Sequence, residues 1–183
     1  MAPLKLVVGV VVIFYLVLNI LVTGYIFNCS GSLISPTELQ ITRIKAAKRI
    51  FKREPRVKEE PEYFVKITSC YNAWSIKREN RIIISEAVIR DYSIEELASI
   101  IGHEFGHLES WQERRHWKID AIAVELAGKS AALKQTNKLI SGANNMFNNH
   151  QVLAYIFPFA CLNYYSMIGN LRSRLQKIES IPD

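Results

Sequence analysis

His103, Glu104 and His107 stand in the run "HEFGH", inside the longer stretch "SIEELASIIGHEFGHLES". Two histidines four residues apart lie on one face of a helix, about 40° from each other. Both imidazoles can then reach one metal ion at about 2.0–2.1 Å. Glu104 follows the first histidine and points to the side, where it can touch a water on the metal without ligating the metal. A general base needs that placement. The chemistry is metal-assisted hydrolysis. The ion acidifies a water and polarises a carbonyl, and the carboxylate takes the proton and delivers it to a leaving amine. The expected cofactor is Zn2+, one per chain. The chain has 4 histidines. Three of them, His103, His107 and His116, are bunched together, which argues against accident.

These residues need a scaffold. Ser93 with Glu96 three residues on is a capping signature, and Ile94, Leu97, Ile100, Ile101 and Leu108 give the following helix a buried side. Upstream, "EYFVKIT" and "RIIISEAVI" have the branched and aromatic residues of strands. "NAWSIKRENRIIIS" reads as a hairpin turning near Arg78 to Asn80. Downstream, one helix is expected over "HWKIDAIAVELAGKSAALKQTNKLI". On its wheel Asp120 lies about 40° from His116, while Glu125 lies about 180° away. Before the strands, "SPTEL" announces a helix with Ser35 as N-cap, Pro36 in the first position and Glu38 completing a capping box. Leu39, Ile44, Ala47, Ile50 and Phe51 are its expected apolar stripe. Its Arg43, Lys48, Arg49, Lys52 and Arg53 form either a solvated face or a surface for anionic headgroups. Helix, strands, helix, helix is the order of an α+β domain with a small antiparallel sheet.

Hydrophobic residues make up 49% of the 183 and collect at the two ends of the chain. Leu6 to Phe27 is an uncharged, mostly apolar run; as a helix it spans roughly 33 Å, enough for a bilayer core. It is too long for a signal-peptide core and no small-residue cleavage site closes it. A second apolar stretch, Val152 to Gly169, contains Pro158 and Asn163. It could span, re-enter or lie along the bilayer surface; a second span is the expectation and a buried C-terminal helix the alternative. The expected division is 1–28 as a transmembrane anchor, 29–138 as the catalytic domain, 139–171 as a second membrane helix or re-entrant segment, and 172–183 as a tail. Cys29, Cys70 and Cys161 are too scattered for a disulfide framework. The net charge of +6 comes without a basic patch interleaved with stacking aromatics, so nucleic acid is not an expected partner.

These motifs resemble the HtpX-like and CaaX prenyl-endopeptidase family of membrane zinc metalloproteases, which belong to the gluzincins. The resemblance covers roughly residues 36–135. "NAWSIKRENRIIISEAVI" is similar to the family's Asn-Ala-aromatic strand and the strand after it, "SIEELASIIGHEFGHL" to its active-site helix, and "IDAIAVELAG" to its Ala-Asp helix. The resemblance implies a zincin-like fold and an edge strand, at Asn72, Ala73 and Trp74, that holds substrate by strand addition. It also implies that Asp120 orients a ligating imidazole, His103. In the family the third ligand is a Glu four residues before that Asp; here the position is His116. Imidazole is an acceptable zinc ligand. Glu113 from a loop, or no third protein ligand, are the alternatives. The link "LESWQERR" between His107 and His116 is shorter than in the family.

The expectation is a membrane zinc endopeptidase, single- or two-pass, with Glu104 as general base and its catalytic domain facing the cytosol. Its partners would be a peptide or membrane-protein substrate and the lipid bilayer. His150 and the tyrosines of 155–165 are candidates for stabilising an oxyanion. The rivals are a catalytically inactive zincin-fold membrane interaction module and a membrane structural protein without metal.

Overall fold

The computed structural model describes residues 2–26, 30–110 and 116–182, with side chains throughout except in 2–7, 24–26 and 153–155. In chain order the elements are α1 (Ala2–Ile26), β1 (Leu33–Ile34), α2 (Glu38–Arg49), β2 (Glu62–Lys66), β3 (Ala73–Ile76), a 3-10 turn (Lys77–Glu79), β4 (Arg81–Ser85), α3 (Glu86–Asp91), α4 (Ile94–Glu109), α5 (His116–Ala127), α6 (Lys129–Asn149), α7 (Gln151–Ile156) and α8 (Pro158–Glu179). Two compact units emerge: Met1–Asn28 with Ser141–Asn170, and Cys29–Ile140 with Leu171–Asp183.

The first unit is helical. Phe147 and Ala160 form its buried centre, with Val22, Cys161 and Tyr164 packed against them. Tyr15 donates from its hydroxyl to the Ile156 carbonyl at 3.0 Å. Val8, Val12, Phe14 and Leu21 of α1 are exposed. Among the described residues no helix is long and apolar enough to cross a membrane. Residues 152–169 are not one continuous helix: α7 stops at Ile156 and α8 starts at Pro158. Proline has no N–H to continue a helix but suits a first helical position.

The second unit carries the site. Its sheet is mixed, not purely antiparallel, with strand order β1-β2-β4-β3. The β3–β4 hairpin is antiparallel, with Trp74 opposite Ile83, and Asn80 in the left-handed region at φ 47° makes the turn. Strand β4 inserts between β3 and β2 and runs parallel to β2. Its unbroken "RIIIS" suits a central strand, and Ile82 and Ile84 are fully buried. Hairpin chemistry fixes one pairing but leaves open which strand covers the hairpin's other side. That is why the parallel ladder was not legible. The consequence for function is that β3 pairs on one side only and forms an edge of the sheet.

Helix α2 begins at Thr37, which with Gln40 makes a reciprocal capping box; Ser35 and Glu38 do not. Ile44 and Ala47 are buried, whereas Leu39 is 72% exposed. Two of its basic residues are engaged: Arg43 donates to the carbonyls of Ile89 and Tyr92 and Lys48 pairs with Glu60. The helix ends at Arg49, short of the expected Arg53, which pairs with Glu109 and Glu125.

Helix α4 is capped by Ser93 and Glu96 as its sequence predicts, and Leu97, Ile101 and Phe105 seat it in the core beneath the sheet. It packs closely on α5 through two glycines. A Cβ at Gly106 would come within 2.9 Å of the Ile119 side chain and 3.1 Å of its carbonyl oxygen, and one at Gly102 within 3.4 Å of the Ala123 Cα. Only that close approach lets the His103–His107 face of α4 meet the His116–Asp120 face of α5. The expected single helix after His116 is instead two. Gly128, at φ 92°, ends α5 in the left-handed conformation usual after a helix. Residues 172–183, expected as a tail, fall in this second unit: Ile178 is buried with Val124 and Ala132.

Candidate metal centre

His103, His107 and His116 each offer a ring nitrogen, and the three lie within 4.8 Å of one another. A shared ion at about 2.0–2.1 Å from each would draw them in. The rings of His103 and His107 are 4.9 Å apart, centroid to centroid, and His116 is 5.7 Å from His103 and 5.4 Å from His107. Burial pushes the His107 imidazole down to about 4, and burial, with the Arg174 charge beside it, lowers His116. Both are therefore neutral at pH 7, the state a metal ligand requires. The donor set fits zinc in chemistry and in number.

Asp120 stands behind His103. Its Oδ1 is 2.8 Å from His103 Nδ1. That contact commits Nδ1 to the carboxylate and leaves Nε2 for a metal. Burial alone would raise the Asp120 carboxyl. Hydrogen bonds from His103 and Arg174 overcome this and hold it down to about 2. The stability this gives is complete above the unfolded carboxylate's range near pH 4 and is lost as pH falls towards 2. Arg174, from α8, donates from Nε to Oδ2 at 2.8 Å and from NH2 to Oδ1 at 2.7 Å. Its NH2 also approaches His103 Nδ1 at 3.3 Å. Sequence reasoning missed Arg174. The signal lay in Asp120: a carboxylate deep on a helix face needs more than one partner.

Glu104 is 6% exposed. Burial raises its carboxyl, against the lowering effects of His103 and of the hydroxyl and backbone of Ser75. Ser75 lies on β3, so the edge strand and the carboxylate meet directly. They line a common cavity of about 570 Å³, with Asn72, Ala73 and Trp74 on one side and the three histidines and Arg174 on another. Asn72 donates from its backbone to Ser85 Oγ and accepts the Ser85 N–H, locking the start of β3 onto β4. Lys66 lies 5.0 Å over the Trp74 ring.

Glu125 faces away, as its wheel position requires: it is exposed and bound to Arg53. Glu109, the last residue of α4, accepts from Arg53 and from the Arg56 N–H, and so anchors the end of the active-site helix. Glu113 lies outside the described residues. His150 and Tyr164 belong to the other unit.

A helix bearing HEFGH beside an open strand edge, with a third imidazole converging from the next helix, is an arrangement suited to a metallopeptidase. The chain belongs to peptidase family M48, whose family model matches residues 40–180. That match bears out the resemblance to HtpX-like and CaaX-type proteases, and the family is zinc-dependent in general. No curated protein and no solved structure matches the chain.

Removing Asp120 tests how the site is held. Asp120→Ala takes away the acceptor of His103 and strands the Arg174 charge. Loss of such an orienting partner typically costs about 10–100-fold in metal affinity. Orphaning one member of a buried pair costs about 3–5 kcal/mol, and the low end is expected because Arg174 keeps 18% side-chain exposure. Competition with a chromophoric chelator and urea unfolding measure the two effects. Wild-type values in both would remove Asp120 from the site.

Proposed function

We propose that this protein is a membrane-anchored zinc endopeptidase that cleaves peptides or membrane proteins, with Glu104 as general base. The observation that carries the reading is the convergence of His103, His107 and His116 within 4.8 Å beside the buried Glu104. Bound zinc would supply an acidified water and a polarised carbonyl. The rest falls to the chain. Asp120, backed by Arg174, holds the His103 ring. Glu104, its carboxyl raised by burial, stands beside the histidines where a general base must be to take a proton. The free edge of β3 offers main-chain donors and acceptors to an extended peptide at Asn72 to Trp74. Leu6 to Phe27 would hold the enzyme in the bilayer, with the catalytic unit on the cytosolic side.

The test uses full-length protein. It is expected to stay in carbonate-washed membranes, to carry one zinc after detergent purification, and to cleave casein until 1,10-phenanthroline is added. Zinc without cleavage would favour the inactive interaction module. No zinc would remove the metal altogether, and release by carbonate would remove the anchor.

A further inference from the structure

We infer that Gln135, on α6, is a substrate-positioning residue whose side-chain amide donates a hydrogen bond to a main-chain carbonyl of the bound peptide, across the cleft from β3. This rests on the endopeptidase reading and adds a second wall to its substrate site.

Gln135 is 6% exposed and lines the same cavity as Trp74, Glu104, His116 and Arg174. Its Oε1 accepts from the Thr136 hydroxyl at 3.4 Å, which orients the amide and leaves the NH2 end pointing elsewhere. Among the described residues that NH2 has no acceptor. Nor is it sealed in: the fully enclosed orphan atoms among the described residues are Asn19 Oδ1, Thr23 Oγ1 and Tyr92 OH. Its opening is therefore onto the cavity it lines. A side chain only 6% exposed whose donor meets no protein acceptor can be served there only by cavity water or by a ligand that enters the cavity. Leucine would fill the same space without a donor, and Leu139 does so one turn further along the same cavity wall. The donor makes sense once an acceptor arrives. An extended peptide added to the edge of β3 turns alternate carbonyls outward, away from the sheet. A donor on the opposite wall can meet one of them without reading the side chains.

Two properties should separate in Gln135→Leu. Replacing an unpaired buried donor with an apolar group of similar volume should leave the melting temperature unchanged or higher. Thr136 can turn its hydroxyl to a carbonyl of its own helix. Peptide binding should weaken about 3- to 10-fold, the scale of one net hydrogen bond. Binding is read by anisotropy of fluorescein-labelled casein on zinc-loaded, detergent-purified protein with Glu104→Gln in the background. In the Glu104-containing protein the same change should appear in KM, with kcat little altered and zinc content equal to wild type. Gln135→Met, unbranched and of the same length, should behave as Gln135→Leu does. Either variant with wild-type casein affinity and KM overturns this inference alone, as does a fall in melting temperature without a loss of affinity, which would make Gln135 structural. A wild-type protein that loads zinc but neither binds nor cleaves casein overturns the endopeptidase reading and this inference with it.

Discussion

Glu104→Gln should retain stoichiometric zinc and lose about 10²–10⁴-fold in turnover, the typical worth of a general acid–base group. The amide keeps the shape of the side chain and can still be held by Ser75, so the helix should not shift. What it cannot do is accept a proton. Burial sharpens the expectation, because Glu104 is 6% exposed and its carboxyl is raised. Among the described residues no other carboxylate lines the cavity, so no other group there can take over as base. Metal analysis beside casein turnover decides between roles. A variant that cuts as fast as wild type sinks the mechanism, and one that loses its zinc makes Glu104 a ligand or a structural group.

The parts of the site legible in sequence were those written within one turn or one helix. The two histidines of HEFGH, the Ser93–Glu96 cap and the hairpin turn at Asn80 depend on neighbours a few residues away, and local geometry is enough to read them. The outward direction of Glu125 followed from a wheel for the same reason. What failed depended on partners far along the chain. Arg174 reaches Asp120 across 54 positions, and no periodicity reports that. The parallel β2–β4 ladder has the same character, since hydrophobic alternation is silent about which strand lies beyond a hairpin. The N-cap of α2 failed on a finer point. Ser35, Pro36 and Thr37 all suit a helix start, and the reciprocal bond with Gln40 chose Thr37. Gly128 was misread because a single glycine in a helical pattern is compatible with both continuation and a stop.

His116 carries the last expectation, and the largest after Glu104. It opens α5, its ring nitrogen lies within 4.8 Å of those of His103 and His107, and partial desolvation with the Arg174 charge beside it lowers its imidazole. His116→Ala removes one of three ligands and should lower zinc affinity by more than the about 10–100-fold expected of the orienting Asp120, with activity lost in parallel. His116→Glu is the informative partner. A carboxylate oxygen binds zinc at about 2.0–2.2 Å, close to the imidazole distance, and an acidic residue in the first turn of a helix is favoured by about 0.3–1 kcal/mol. Zinc should therefore be kept. The cost falls on charge. Three neutral imidazoles leave the dication uncompensated, whereas a carboxylate cancels one unit and should make the activated water less acidic. The acid limb of the pH–rate profile should then move to higher pH in His116→Glu, while the plateau remains. Zinc titration and the pH dependence of casein cleavage read the two effects separately. His116→Ala that holds one zinc and full activity would reduce His116 to a surface residue and return the third position to Glu113 or to no protein ligand at all.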